Sequence, residues 1–115
     1  MMSNKKYTIE VRLWIEETEG PFLGIGKIWL LENIRKTGSI TNAAKEMKMA
    51  YRQAWQLVQE MNQRAESPLV EKVLGGKGGG GAKLTEAGER AIETFYEIEK
   101  RIKDFAKQET QNLRF

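Results

Sequence analysis

Tyr51, Arg52, Gln53 and Gln56 fall within six residues and carry long side chains, mostly uncharged and rich in hydrogen-bond donors and acceptors. On one helix face they have the reach and chemistry to read base edges in the major groove of duplex DNA. Arg52 can fork onto a guanine, and Tyr51 can reach a thymine methyl or a phosphate. Upstream, Thr41, Asn42 and Lys45 are placed to hold phosphates beside the groove, and downstream Lys72, Lys77 and Lys83 can hold the flanking backbone. The chain has no histidine and no cysteine. The commonest general base, the commonest metal ligand and all thiol chemistry are therefore absent, so neither catalysis nor a metal or other cofactor is expected.

These side chains need a scaffold, and residues 39–58 supply its centre as two short helices meeting at a tight turn. Steeply crossed helices need small residues where they touch, which Ala43 and Ala44 provide, while Met49 plugs the gap past the turn. Ala54, Val58 and Met61 then recur at helical spacing and give the second helix a buried face. Thr41 is read as the N-cap of the first of these helices and Ala50 as that of the second, where it offers no capping hydroxyl. Trp55 has two readings, a groove-inserting aromatic or a boundary core residue packed against the preceding helix or the wing. Core packing is the expected one.

Residues 7–16 alternate strictly, with Tyr7, Ile9, Val11, Leu13 and Ile15 on one face. This predicts a half-buried strand that pairs either with a later hairpin or with a second subunit. A first helix is predicted over 22–37, its start at Phe22 or Gly26 left open by Gly24 and Gly26, with Ile28, Leu30, Leu31 and Ile34 as its core stripe and Gly38 as a left-handed cap. The helix-turn-helix follows at 41–48 and 50–66, and a hairpin at 69–84. The hairpin tip holds six glycines in seven positions around Lys77, suited to close approach of backbone amides to phosphate or to the minor groove. A nucleotide-cradling loop is disfavoured, because Gly78 follows Lys77 where Ser or Thr is required and the run leads into a strand. A last helix over 85–108, capped by Thr85, carries Ala91, Phe95, Ile98, Ile102 and Phe105 at steps of four and three. The first half of that seam can be plain core, whereas its second half, past Glu97, outruns a domain this small and predicts pairing with the same helix of a second copy.

The chain of 115 residues has a net charge of +3, unevenly placed. Between Lys27 and Lys83 ten Lys and Arg face five Glu, so the basic surplus lies in the segment holding the helix-turn-helix and the glycine run. An anionic partner there gains Coulomb attraction and releases counterions. No signal peptide or long apolar run is visible, which predicts a cytoplasmic protein with no membrane partner.

The run Gly38 to Thr41, the segment Tyr51 to Trp55, the tract Glu60 to Gln63, and Gly75 to Ala82 followed by Leu84-Thr85 resemble the N-terminal winged-helix domain of molybdate-responsive transcriptional regulators, the ModE family. These are relatives of LysR-type DNA-binding domains, and the similarity covers roughly residues 22–108. The resemblance implies a mainly α fold with a small β-sheet (α+β), a winged helix-turn-helix with an N-terminal strand and a long C-terminal dimerisation helix, in a single domain spanning 1–115. It implies a sequence-specific transcriptional regulator that binds double-stranded DNA as a homodimer, with the first helix bracing the helix-turn-helix. In that family molybdate is sensed by separate C-terminal domains. The expectation here is a regulator without its own sensing domain, standing alone or paired with a separate effector protein. Two other classes stay open: a protein-interaction winged helix, and a nucleotide-binding protein using the glycine run.

Overall fold

The computed structural model describes residues 5–74 and 81–115. It contains β1 (Trp14–Glu17), β2 (Gly20–Gly24), α1 (Ile25–Thr37), α2 (Ile40–Glu46), α3 (Tyr51–Arg64), β3 (Val70–Val73), β4 (Gly81–Leu84) and α4 (Glu86–Thr110). The strands form two antiparallel hairpins, β1 with β2 and β3 with β4. The fold is α+β, a winged helix with a long C-terminal helix.

Helix α1 occupies the centre. Ile28, Leu30, Leu31 and Ile34 are all fully buried, against Ala43 and Ala44 of α2, Ala54, Val58 and Met61 of α3, and Ile92 and Phe95 of α4. The helix ends at Gly38, whose φ of 73° is left-handed and whose N–H donates to the Ile34 carbonyl at 2.8 Å. Such a conformation is costly for any residue with a Cβ. The next residue, Ser39, is extended and caps α2, its Oγ accepting from the Asn42 N–H at 3.1 Å. The cap expected at Thr41 therefore lies two residues earlier. The sharp turn at Gly38 lets the helix begin at Ile40, and Thr41 falls inside it with its side chain exposed.

Two expectations for the N-terminal third need correction. The predicted strand over 7–16 is a strand only from Trp14, and its partner is β2, with Ile15 opposite Leu23 and Glu17 opposite Gly20. Because residues 20–24 pair with β1, the first helix begins at Ile25, next to the later of the two expected starts, Gly26, and not at Phe22. The segment before β1 is extended without strand pairing and lies along the far half of α4. There the Ile9 N–H donates to Thr110 Oγ1 at 3.0 Å, and Tyr7 meets Phe115 edge-to-face at 5.3 Å. Alternation marks an extended chain, but a strand also needs a free edge, and α4 offers a helix face in its place.

Helix α4 has two halves with different surroundings. Its first half completes the core through Ile92 and Phe95. Its second half runs beyond it, so that the protein measures 69 × 28 × 21 Å. Tyr96 ties α4 to α1 by donating its hydroxyl to Glu32 Oε1 at 2.8 Å. Burial, reinforced by that carboxylate, pushes the Tyr96 hydroxyl up to about 12.

The start of α4 passes Leu69, the residue before β3, so closely that only glycine fits. Thr85 caps the helix by accepting from the Gly88 N–H at 3.1 Å, and the Thr85 N–H donates to the Leu69 carbonyl at 2.9 Å. A Cβ on Gly88 would lie inside contact distance of that same Leu69 oxygen and 3.3 Å from Leu84 Cβ. The obstacle is backbone, which cannot rotate away. Gly88→Ala is expected to lower stability by about 1–3 kcal/mol, the usual cost of overpacking, measured by urea unfolding. A variant as stable as the parent would show that β3 and α4 can part without loss.

Candidate nucleic-acid interface

The amphipathic pattern of α3 sets its orientation. Ala54, Val58 and Met61 are buried, which turns Tyr51, Arg52, Gln53 and Gln56 outward, and all four are exposed. Its first turn has no acidic residue, and Ala50 provides no side-chain cap, so the helix N-terminus is free of competing carboxylates. Tyr51, Arg52, Trp55 and Gln56 together line a shallow open concavity on this face. Gln53 is exposed but does not line it.

Trp55 corrects the sequence expectation. It is 41% exposed and stands one turn from Tyr51, not in the core. The signal was present in the spacing. With 54, 58 and 61 taking the buried positions, residue 55 is rotated about 100° away from them.

Helix α2 crosses behind α3, with Met47 and Met49 partly buried against the core at their junction. Between the helices Lys48 adopts a left-handed φ of 54°, and the Met49 N–H donates to the Ala44 carbonyl at 2.9 Å. The turn thus takes a conformation that glycine would adopt at less cost. Thr41, Asn42 and Lys45 are exposed on α2. Among the described residues Lys45 and Arg52 form no ion pair, so their charges are available to a ligand.

The β3–β4 hairpin, the wing, is fastened to three helices. The Ala82 N–H donates to the Gly38 carbonyl at 2.9 Å, beside a bridge between Ser39 and Gly81. Thr85 and Gly88 join it to α4, as described above. The third fastening, to α3, is Asn62. Its Oδ1 accepts from the N–H groups of Leu69 and Val70 at 2.9 and 3.2 Å, and its Nδ2 donates to the Val70 carbonyl at 3.0 Å. Sequence reasoning gave Asn62 no role, since a lone asparagine within a helix carries no spacing signal.

On the wing stem Lys72 is exposed and unpaired among the described residues, whereas Lys83 pairs with Glu71, its cross-strand partner, at 3.4 Å. Lys83 must exchange that carboxylate for a phosphate if it is to hold DNA. Lys77 and the glycines around it at 75–80 lie outside the described residues.

The predicted helix seam divides in the structure. Phe95 is fully buried in the protein's own core and is not free to pair with a second copy, while Ala91 is partly buried against that core. Core and seam use the same helical period, and what separates them is the length of helix past Glu97 that outruns the domain. Ile98 and Ile102 are partly exposed and Phe105 is 63% exposed. Ala106, on the neighbouring face, is covered by residues 8–11.

Comparison with known proteins bears directly on this arrangement. Residues 26–89, from α1 into the first turn of α4, match the family of bacterial regulatory helix-turn-helix proteins, lysR family. The chain belongs to that family. Within it, this lysR-family chain is 42% identical over 86 residues to the DNA-binding transcriptional dual regulator ModE of Escherichia coli K12, covering 75% of the chain and 33% of the relative. It is 45% identical over 83 residues to the molybdenum-pterin-binding protein MopB of Rhodobacter capsulatus, covering 72% and 31% respectively. The chain therefore spans about a third of the length of these curated relatives. The crystal structure of a LysR family transcriptional regulator shares the fold, with a TM-score of 0.53 and 16% identity over 70% of this chain and 26% of that one. The matched region is thus a lysR-family helix-turn-helix domain with a winged-helix fold. Among the described residues no helix is long and apolar enough to cross a membrane.

Removing the Asn62 amide strands two backbone donors next to the buried Leu69 and Val70. Asn62→Ala is expected to cost about 1–3 kcal/mol. Asn62→Asp keeps the acceptors and should cost less. Urea unfolding measures both, and amide exchange at Leu69 and Val70 should accelerate more in the alanine variant.

Proposed function

We propose that this chain is a sequence-specific DNA-binding transcriptional regulator of the ModE-like type, acting on duplex DNA in the cytoplasm as a homodimer. The observation that carries the reading is the outward face of α3. Tyr51, Arg52, Gln53 and Gln56 are exposed at the N-terminal end of the second helix of a helix-turn-helix, the end that meets base edges in this motif. Arg52, Gln53 and Gln56 read base edges, and Tyr51 a thymine methyl or a phosphate. Thr41, Asn42 and Lys45 of α2 hold the adjacent phosphates. Lys72 and Lys83, with Lys77, hold the backbone flanking the wing.

The basic surplus of the central segment supports the same assignment, since each phosphate contact by Lys or Arg releases counterions. Fluorescence anisotropy with a mixed-sequence duplex at several salt concentrations tests it. Affinity should fall linearly in log–log form with salt, and Lys45→Ala should reduce that slope by about one. Arg52→Ala should cost about 1–3 kcal/mol on the preferred sequence through loss of a bidentate guanine contact. Absence of binding at low salt would overturn the DNA reading.

Dimerisation rests on the far half of α4. Ile98, Ile102 and Phe105 lie on one face at steps of four and three, beyond the body of the domain and incompletely covered. Pairing this face with its copy would bury it and set two α3 helices about 34 Å apart, one turn of DNA. Sedimentation equilibrium at micromolar concentration is expected to show a dimer, which Ile102→Asp should convert to monomer. A monomeric parent protein would remove the homodimer from the proposal and leave the DNA contacts standing.

A further inference from the structure

Trp55 is a costly residue to leave in water, and its position limits what it can be for. It projects from the fifth residue of α3, 41% exposed, with Tyr51 52% exposed one turn before it. With Arg52 and Gln56 the two rings frame a concavity of about 530 Å³ whose exposed lining is mainly apolar. The fully buried positions of the helix are filled by Ala54, Val58 and Met61, so the indole lies outside the core with its outer surface open to a ligand.

The surface this helix would meet is the floor of the major groove. Base pairs present donors and acceptors there, and a single apolar group, the C5-methyl of thymine. Intercalating wedges belong chiefly to proteins that bend DNA through the minor groove, whereas an indole on the outer face of a major-groove helix meets base edges side-on. Apolar ring surface flanked by Arg52 and Gln56 is complementary to a methyl group bordered by hydrogen-bonding edges.

We propose that Trp55, together with Tyr51, forms a thymine-methyl reader, so that this helix selects thymine by apolar contact next to bases selected by hydrogen bonds. The inference rests on the DNA reading above and adds Trp55 to it as a specificity-determining residue. Deoxyuridine provides the discriminating probe, because it differs from thymidine only in lacking that methyl.

The test compares affinity for alternating dA–dT and dA–dU duplexes of equal length at fixed salt, using the whole chain. The parent protein should bind the thymine duplex at least about fourfold more tightly, the value of burying one methyl group. Trp55→Ala and Trp55→Gln should each bring the ratio close to one while circular dichroism shows the parent helicity. Lys45→Ala should weaken binding to both duplexes and leave the ratio unchanged. A ratio of one in the parent, or a parent-like ratio in both folded Trp55 variants, would overturn the methyl reader while leaving DNA binding intact. No salt-dependent binding to either duplex would overturn the DNA reading itself, and this inference with it.

Discussion

A single carboxamide in α3 sets where the wing lies. Asn62 answers three backbone groups of Leu69 and Val70 at once, so β3 cannot shift along or away from the helix without breaking them together. Leu69 and Val70 are also buried apolar residues, so those hydrogen bonds form in a poorly solvated place where their loss is costly. The same Leu69 offers its carbonyl to Thr85 at the start of α4, against Gly88. Helix α3, the wing and the C-terminal helix thus converge on two adjacent residues. The placement of the wing relative to α3 and α4 depends on that junction.

That geometry explains the division of labour along the chain. Helix α1 is buried on a wide face and carries none of the proposed DNA contacts, but Gly38 at its end both launches α2 and offers its carbonyl to the wing at Ala82. Two of the elements proposed to touch DNA, α2 and the β3–β4 stem, are therefore both anchored at the end of α1. Rigid presentation suits base reading, because contacts held in register lose little entropy on binding.

Helix α4 serves two environments with one periodicity. Up to Phe95 its apolar face belongs to the core; beyond that the same rhythm continues along a helix that has left the domain. There the N-terminal extended segment covers the face around Ala106, leaving Ile98, Ile102 and Phe105 beside it incompletely covered. The pattern of side chains is continuous, and only the surroundings change.

Local periodicity was enough to recognise much of this protein from its residues alone. The stripe Ile28, Leu30, Leu31 and Ile34, the alternation of buried and outward positions on α3, the Gly38 cap and the Thr85 cap all follow from contacts within a few residues. The Gly38–Thr41, Tyr51–Trp55 and Leu84–Thr85 segments also carried the family resemblance. What tertiary structure decided was always a question of partner. The alternating residues before Trp14 met a helix instead of a strand edge, Phe95 met its own core, Trp55 stayed outside the core, and Asn62 found the wing seven and eight residues away. Short-range spacing specifies which way a side chain points, because backbone geometry is local. What it points at depends on the packing of distant segments, which no spacing within one element encodes.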